Sequence, residues 1–232
     1  MVDPIRVLSL NSCYDPWLPT LLRPDDTVIP TTVHGNRLES IIRAQPDVVV
    51  HNNFISSVLL RALRRAATDY NFRLVAIQHP QTWLEWQAQR QPIGLALQRE
   101  ASVNRWFLTQ QEQLVESGKK LPPTLIILMP NYFMWAADSW TADLLAQVGV
   151  ELQTPIQAGQ LGQVGLAEVI RLRGEHIVFE GFSTHYSRGQ DWLHHRALVD
   201  WSADKTVYKI KGEVAGCPAT QAIQYLEAMQ SE

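Results

Sequence analysis

The run Asp47-Val48-Val49-Val50-His51 constrains this chain more than any other segment. Three consecutive valines leave no polar face. A strand made from them must be covered on both sides, which is the situation of an inner strand in a parallel sheet flanked by helices. Its neighbours agree. Ile5 to Leu10 is a β-favouring run ended by Asn11-Ser12, and Phe72 to Ile77 is a third strand. Between them lie a helix from Leu38 to Ala44, stopped by Gln45-Pro46, and one from Phe54 to Ala67 with Ile55, Val58, Leu59, Ala62, Leu63 and Ala66 at helical spacing. A β-α-β-α-β order predicts a parallel α/β sheet.

The pattern restarts after Leu121-Pro122-Pro123. Thr124 to Met129 reads as a buried strand, followed by a helix capped by Asp138 or Ser139 that runs to Val148 and is closed by Gly149, then Val164 to Leu172 as a short helix and His176 to Glu180 as a strand. Thr206 to Ile210 is the last strand and Ala219 to Met229 the closing helix. Between the two patterns nothing after Gly94 is read as breaking a helix from Pro92 to Gly118. The expected organisation is therefore an N-terminal lobe over 1–91, an interlobe helix over 92–118 and a C-terminal lobe over 119–232, with the final helix free to pack back on the first lobe.

Composition narrows the function. With 46% hydrophobic and 19% charged residues among 232, the chain can bury a core in each lobe. The net charge of −3 and scattered Lys and Arg lack the basic footprint of a nucleic-acid binder. No apolar run approaches the roughly 20 residues that span a bilayer. The amino terminus goes straight into a strand-like run, so no signal peptide is read in it. Cys13 and Cys217 are far apart, with no C-x-x-C; they are read either as one disulfide or as two free thiols.

Ligands of open parallel sheets bind outside the carboxyl ends of the strands. Those ends carry Asn11 and Tyr14, Asn53, His79 and Trp83 in the first half. In the second half they carry Tyr132 and Trp135, then Phe182, His185 and Tyr186. Aromatic faces, amides and imidazoles with little Lys or Arg suit a large, weakly charged ligand. Gly159 to Gly165 lacks the G-x-G-x-x-G spacing and is read as a turn; Gly181-Phe182-Ser183-Thr184-His185 is not G-x-S-x-G; the adjacent His194-His195 form no zinc motif. No catalytic residue, metal site or cofactor is assigned. The rival readings are a tetrapyrrole metal chelatase using His79, Glu180 or His185, and a cytosolic ligand sensor on the same scaffold.

Several segments in order resemble the cluster-III periplasmic substrate-binding proteins that serve vitamin B12 and iron–siderophore importers. They are Arg6 to Asn11; Gly35-Asn36-Arg37-Leu38-Glu39-Ser40-Ile41-Ile42 followed by Gln45-Pro46-Asp47-Val48-Val49-Val50; the long helix; and Val207-Tyr208-Lys209-Ile210, Gly212-Glu213 and Cys217-Pro218. The resemblance implies two Rossmann-like αβα lobes bridged by one long helix, with a ligand cleft between them. It implies capture of cobalamin, haem or a ferric siderophore by a monomer in the periplasm, its signal peptide removed, and delivery to an ABC permease dimer in the inner membrane. It also implies that Glu39 and Glu168 are carboxylates that dock on the permease.

Overall fold

The computed structural model describes residues 3–182 and 188–230. The chain divides into two compact units, 1–79 with 84–109 and 80–83 with 110–232.

In the first unit the elements are β1 (Arg6–Ser9), α1 (Leu18–Leu21), β2 (Thr27–Ile29), α2 (Thr31–His34), α3 (Leu38–Arg43), β3 (Val48–Asn52), α4 (Ser57–Tyr70) and β4 (Arg73–Ile77). After β4 come α5 (Trp83–Ala88), α6 (Arg90–Leu97) and α7 (Glu100–Gly118), of which α5 and α7 each extend across a division between the units. The sheet runs β2-β1-β3-β4, all parallel. The Val48–Val50 run is the inner strand that its composition demands, all three residues fully buried. β2 is a strand the sequence reading does not assign, because three residues are too few to show a period.

The expected single helix over Pro92–Gly118 is two helices. Gln98 adopts a left-handed conformation (φ 55°) and caps α6; its N–H returns to Leu95 O and that of Arg99 to Gly94 O. Two interactions fix this corner. A Cβ on Gly94 would lie 3.0 Å from Glu100 Cα, so the glycine admits the close approach of α7. Arg99 is buried beside Asp26, with Nη2–Oδ1 at 2.5 Å and Nε–Oδ2 at 2.8 Å. Burial works against the Asp26 charge. The guanidinium of Arg99 and the backbone N–H groups of Arg23 and Ile5 outweigh it and hold the carboxyl at about 2. Along α7, Val103, Phe107 and Leu114 are buried, while Leu108 and Val115 are exposed.

In the second unit the elements are β5 (Thr124–Leu128), β6 (Phe133–Trp135), α8 (Trp140–Ala146), β7 (Glu151–Leu152), β8 (Leu161–Gln163), α9 (Leu166–Val169) and β9 (His176–Phe182). They continue with α10 (Arg196–Ser202), β10 (Thr206–Lys211), α11 (Gly212–Ala215) and α12 (Ala222–Glu227). The parallel sheet runs β10-β9-β5-β7, and β6 and β8 form a separate antiparallel pair. The stretch Gly159 to Gly165, read as a turn, thus contains strand β8. Gly162 is needed there for space, since a Cβ would come within 3.0 Å of Ile156 Cδ1. Gly118 ends α7 for a similar reason: its Cβ would meet Val148 Cβ at 2.5 Å.

Counted within each unit, the two sheets have one topology. The first strand is flanked by the second and the third, and the fourth lies outside the third. Each therefore has a switch point between its first and third strands, where a crevice opens between loops that leave in opposite directions.

Candidate functional site

In the first unit the switch point lies between β1 and β3, and a cavity of about 600 Å³ opens there. That volume falls within the usual range for small-molecule sites. Leu10, Asn11 and Ser12 line it from the end of β1, and Asn52, Phe54 and Ile55 from the end of β3. Ser56 and Leu59 at the start of α4 and Thr31 and Asn36 around α2 complete the wall.

Local hydrogen bonds set this wall. Asn11 Oδ1 accepts from Cys13 N–H at 2.9 Å and shapes the turn after β1. Asn52 Oδ1 accepts from Phe54 N–H at 3.1 Å, and Ser56 Oγ caps α4 by accepting from Leu59 N–H at 3.2 Å. Behind Asn36, the buried His34 accepts from Asn36 N–H at Nδ1 (3.1 Å), which leaves Nε2–H to donate to Ser9 O at 2.8 Å. Burial lowers the pKa of His34 despite the Ser9 carbonyl and Asp15, so the ring is held neutral. Asp15 in turn accepts from Thr31 N–H and Thr31 Oγ1.

The expected ligand residues of this unit divide. Asn11 lines the cavity, and Asn53 is exposed beside it, its Oδ1 accepting from His79 N–H at 3.3 Å. His79 is half-buried, with its ring 5.5 Å from that of Phe54; burial lowers its pKa. Phe54 is 72% exposed at the mouth, although the sequence reading singles out its neighbour Asn53. An aromatic at a strand end was the available signal. Tyr14, by contrast, is a core residue: it is buried, its ring is 5.6 Å from Trp17, and burial raises its pKa against a hydrogen bond from Asn11. It belongs to an aromatic cluster with Trp17, Trp86, Trp106 and Phe107.

Among the described residues of the second unit, three of the expected ligand aromatics make packing contacts. Trp83 is 3% exposed, not ligand-facing as expected. Its Nε1 donates to Gln111 Oε1 at 2.7 Å and its ring lies 6.2 Å from Trp140. Tyr132 is half-buried in a left-handed backbone conformation (φ 59°) and meets Trp192 edge to face at 5.5 Å. Trp135 is half-buried and its Nε1 donates to Glu180 Oε2 at 2.8 Å; Tyr225 Oη donates to the same oxygen at 2.6 Å. Burial pushes the Glu180 carboxyl up to about 6 against these two donors. The acid–base candidate of the chelatase reading is thus a buried carboxyl held by an indole and a phenol. Phe182 is the last residue of β9, and His185 and Tyr186 lie outside the described residues.

Glu39 and Glu168 are both exposed, each in the first turn of a short helix, α3 in the first unit and α9 in the second. Glu168 also serves its own helix. Its Oε2 accepts from Gly165 N–H at 2.9 Å, satisfying a donor at the amino end of α9. Neither Cys13 nor Cys217 is a free thiol; both are disulfide-bonded. No helix among the described residues is long and apolar enough to cross a membrane.

No family model and no curated protein matches the sequence. Solved structures do match the fold over essentially the whole chain. A component of a Fep/Fec-like ferrichrome ABC transporter from Bacillus subtilis, a periplasmic binding protein of the FhuD fold family, gives a TM-score of 0.73 at 14% identity, covering 100% of this chain and 96% of that one. The triscatecholate siderophore binding protein FeuA from Bacillus subtilis, complexed with ferri-bacillibactin, gives 0.67 at 14% identity over 97% and 90%. The periplasmic haem-binding protein BhuT, with two haems, gives 0.68 at 9% identity over 98% of both chains. At these identities the likeness shows the fold, an α/β fold with parallel sheets of the FhuD type.

Proposed function

We propose that this chain, with the fold of the cluster-III substrate-binding proteins, is the substrate-binding component of an ABC importer. Its cargo is a metal chelate or tetrapyrrole-like molecule, of the class of cobalamin, haem or a ferric siderophore. It is a carrier and not an enzyme. The observation that carries the reading is the fold likeness over both units to proteins described as solute-binding parts of such transporters. The cavity at the switch point of the first sheet supports it independently, because that is where this topology offers a ligand its polar loop groups. The oxidised cysteines fit a location outside the cytoplasm, since disulfides persist in oxidising compartments.

In this reading the protein binds as a monomer, and its ligand contacts come from strand-end loops: Asn11, Asn53, His79 and Phe54 in the first unit, with Tyr132, Trp135, Phe182, His185 and Tyr186 as the candidates in the second. Glu39 and Glu168 engage arginines of a permease dimer. Two separated carboxylates orient the encounter, each contributing little by itself while exposed.

A thermal-shift and native mass-spectrometry screen with cyanocobalamin, haem and ferric siderophores tests the cargo; a raised melting temperature and a one-to-one complex with a member of this class are expected, and no binding to any of them would reject it. Glu39→Arg combined with Glu168→Gln tests docking. The glutamine keeps an acceptor for Gly165 N–H while removing the charge. Ligand affinity should be unchanged and uptake in a reconstituted importer should fall at least ten-fold; unimpaired uptake would remove the docking assignment. A thiol titration of the denatured, unreduced protein should find no reactive cysteine.

A further inference from the structure

We infer that the cavity of the first unit selects an uncharged ligand, one that offers amide, hydroxyl or carbonyl groups to the cavity wall and an apolar face to Phe54. This rests on the carrier reading and narrows its cargo.

Among the described residues, the wall contains no Asp, Glu, Lys, Arg or His. Its polar groups are amides and hydroxyls, and part of their capacity is already committed. Asn52 Oδ1 is taken by Phe54 N–H and Thr31 Oγ1 donates to Asp15, while the amide nitrogen of Asn52 and the amide oxygen of Asn36 remain for a ligand. The charged group directly behind Thr31 is the Asp15 carboxylate, and the histidine behind Asn36 is held neutral. An anion entering here meets a like charge and no cation on the wall.

The amino end of α4 runs the other way. It points at the cavity through Ser56 and Leu59, and the first-turn N–H groups of a helix present partial positive charge. That amounts to about half an elementary charge. It suits a neutral acceptor oxygen and falls well short of the several negative charges of a tris-catecholate complex. An ionised ligand buried without a matching countercharge is strongly disfavoured. The apolar side of the wall complements this. Phe54 presents a ring that is 72% exposed, and Leu10, Ile55 and Leu59 line the same cavity. An exposed ring braced on His79 gives a planar or apolar ligand face somewhere to rest.

The test uses the whole chain and three probes in isothermal titration: ferrichrome as a neutral ferric trihydroxamate, cyanocobalamin, and ferric bacillibactin as a trianionic tris-catecholate. One neutral probe is expected to bind at least ten-fold more tightly than the tris-catecholate. Phe54→Ala, at an exposed position and checked for an unchanged melting temperature, should weaken that binding at least ten-fold. Ser12→Arg, which puts a cation at the mouth, should improve tris-catecholate binding at least five-fold. Equal or tighter binding of the tris-catecholate by the unaltered protein would overturn the selection for neutral ligands and leave the carrier reading standing. Neutral-probe binding indifferent to both Phe54→Ala and Asn52→Ala would overturn the assignment of the site. Failure of all three probes to bind would reject the chelate cargo, and this inference with it.

Discussion

The two sheets share one strand order, yet the described residues at their switch points are disposed differently. In the first unit the loops after β1 and β3 carry Asn11, Ser12 and Asn52 and leave a cavity. In the second, the described residues around β5 and β9 close on one another: Tyr132 packs on Trp192, and Trp135 and Tyr225 share the carboxylate of Glu180. Topology supplies a crevice, and side-chain size and polarity decide whether it remains open to a ligand. The same residue classes therefore have different jobs. Tyr132 and Trp135 in the second unit are half-buried and engaged with Trp192 and Glu180, whereas Phe54 in the first is 72% exposed.

That contrast is breakable by mutation. The largest expected effect is Trp83→Ala in the second unit. It removes a buried indole and should cost about 3–5 kcal/mol in denaturant unfolding; a loss below about 1 kcal/mol would mean the ring is not core.

Next is the pH dependence set by Glu180. Its carboxyl sits at about 6 in the folded chain, above the ordinary 4.5, so folding favours its protonated form. Its contribution is complete below about pH 4.5 and is lost as the pH rises through about 6, a swing of roughly 2 kcal/mol at most. Glu180→Gln should flatten this part of the stability–pH profile, and a profile identical to that of the parent chain would contradict the assignment. Asp26 acts in a separate window and with the opposite sign, since its stabilisation is lost as the pH falls from 3.8 towards about 2.

Strand-end changes in the first unit should be milder. Ser56→Ala removes the cap of α4 and should cost about 1 kcal/mol. Asn53→Ala, at an exposed residue with one long hydrogen bond, should change stability by less than about 0.5 kcal/mol. Its measurable consequence belongs in ligand affinity, and a large stability loss there would erase the distinction between the two units.

Much of this architecture was legible in the sequence, for identifiable reasons. Val48–Val50 and Leu125–Leu128 announce inner strands because a continuous apolar run has no other comfortable place. α4 shows through its periodicity and its serine cap. What stayed hidden was short or distant. β2, β7 and β8 have two or three residues each, too few for a pattern. The corner at Gln98 could not be read because a glutamine in a left-handed conformation carries no compositional mark. Arg99, which anchors that corner, finds its partner 73 residues away. The loops that line the cavity follow from the strand ends, whereas the rings that reach it do not. Tyr14, Trp83 and Phe54 all follow strands, and only packing decides that two are interior and one faces solvent.

The ion pair of Arg99 has a practical corollary. The guanidinium also donates to Asp3 O, and Asp26 accepts from Ile5 N–H. The amino-terminal segment is therefore a stitch in the corner where α6 turns into α7. Removing one partner of a buried pair leaves the other charge stranded. A deletion or fusion that displaces residues 3–5 should thus be felt some ninety-odd positions along the chain, and purification handles belong at the opposite end.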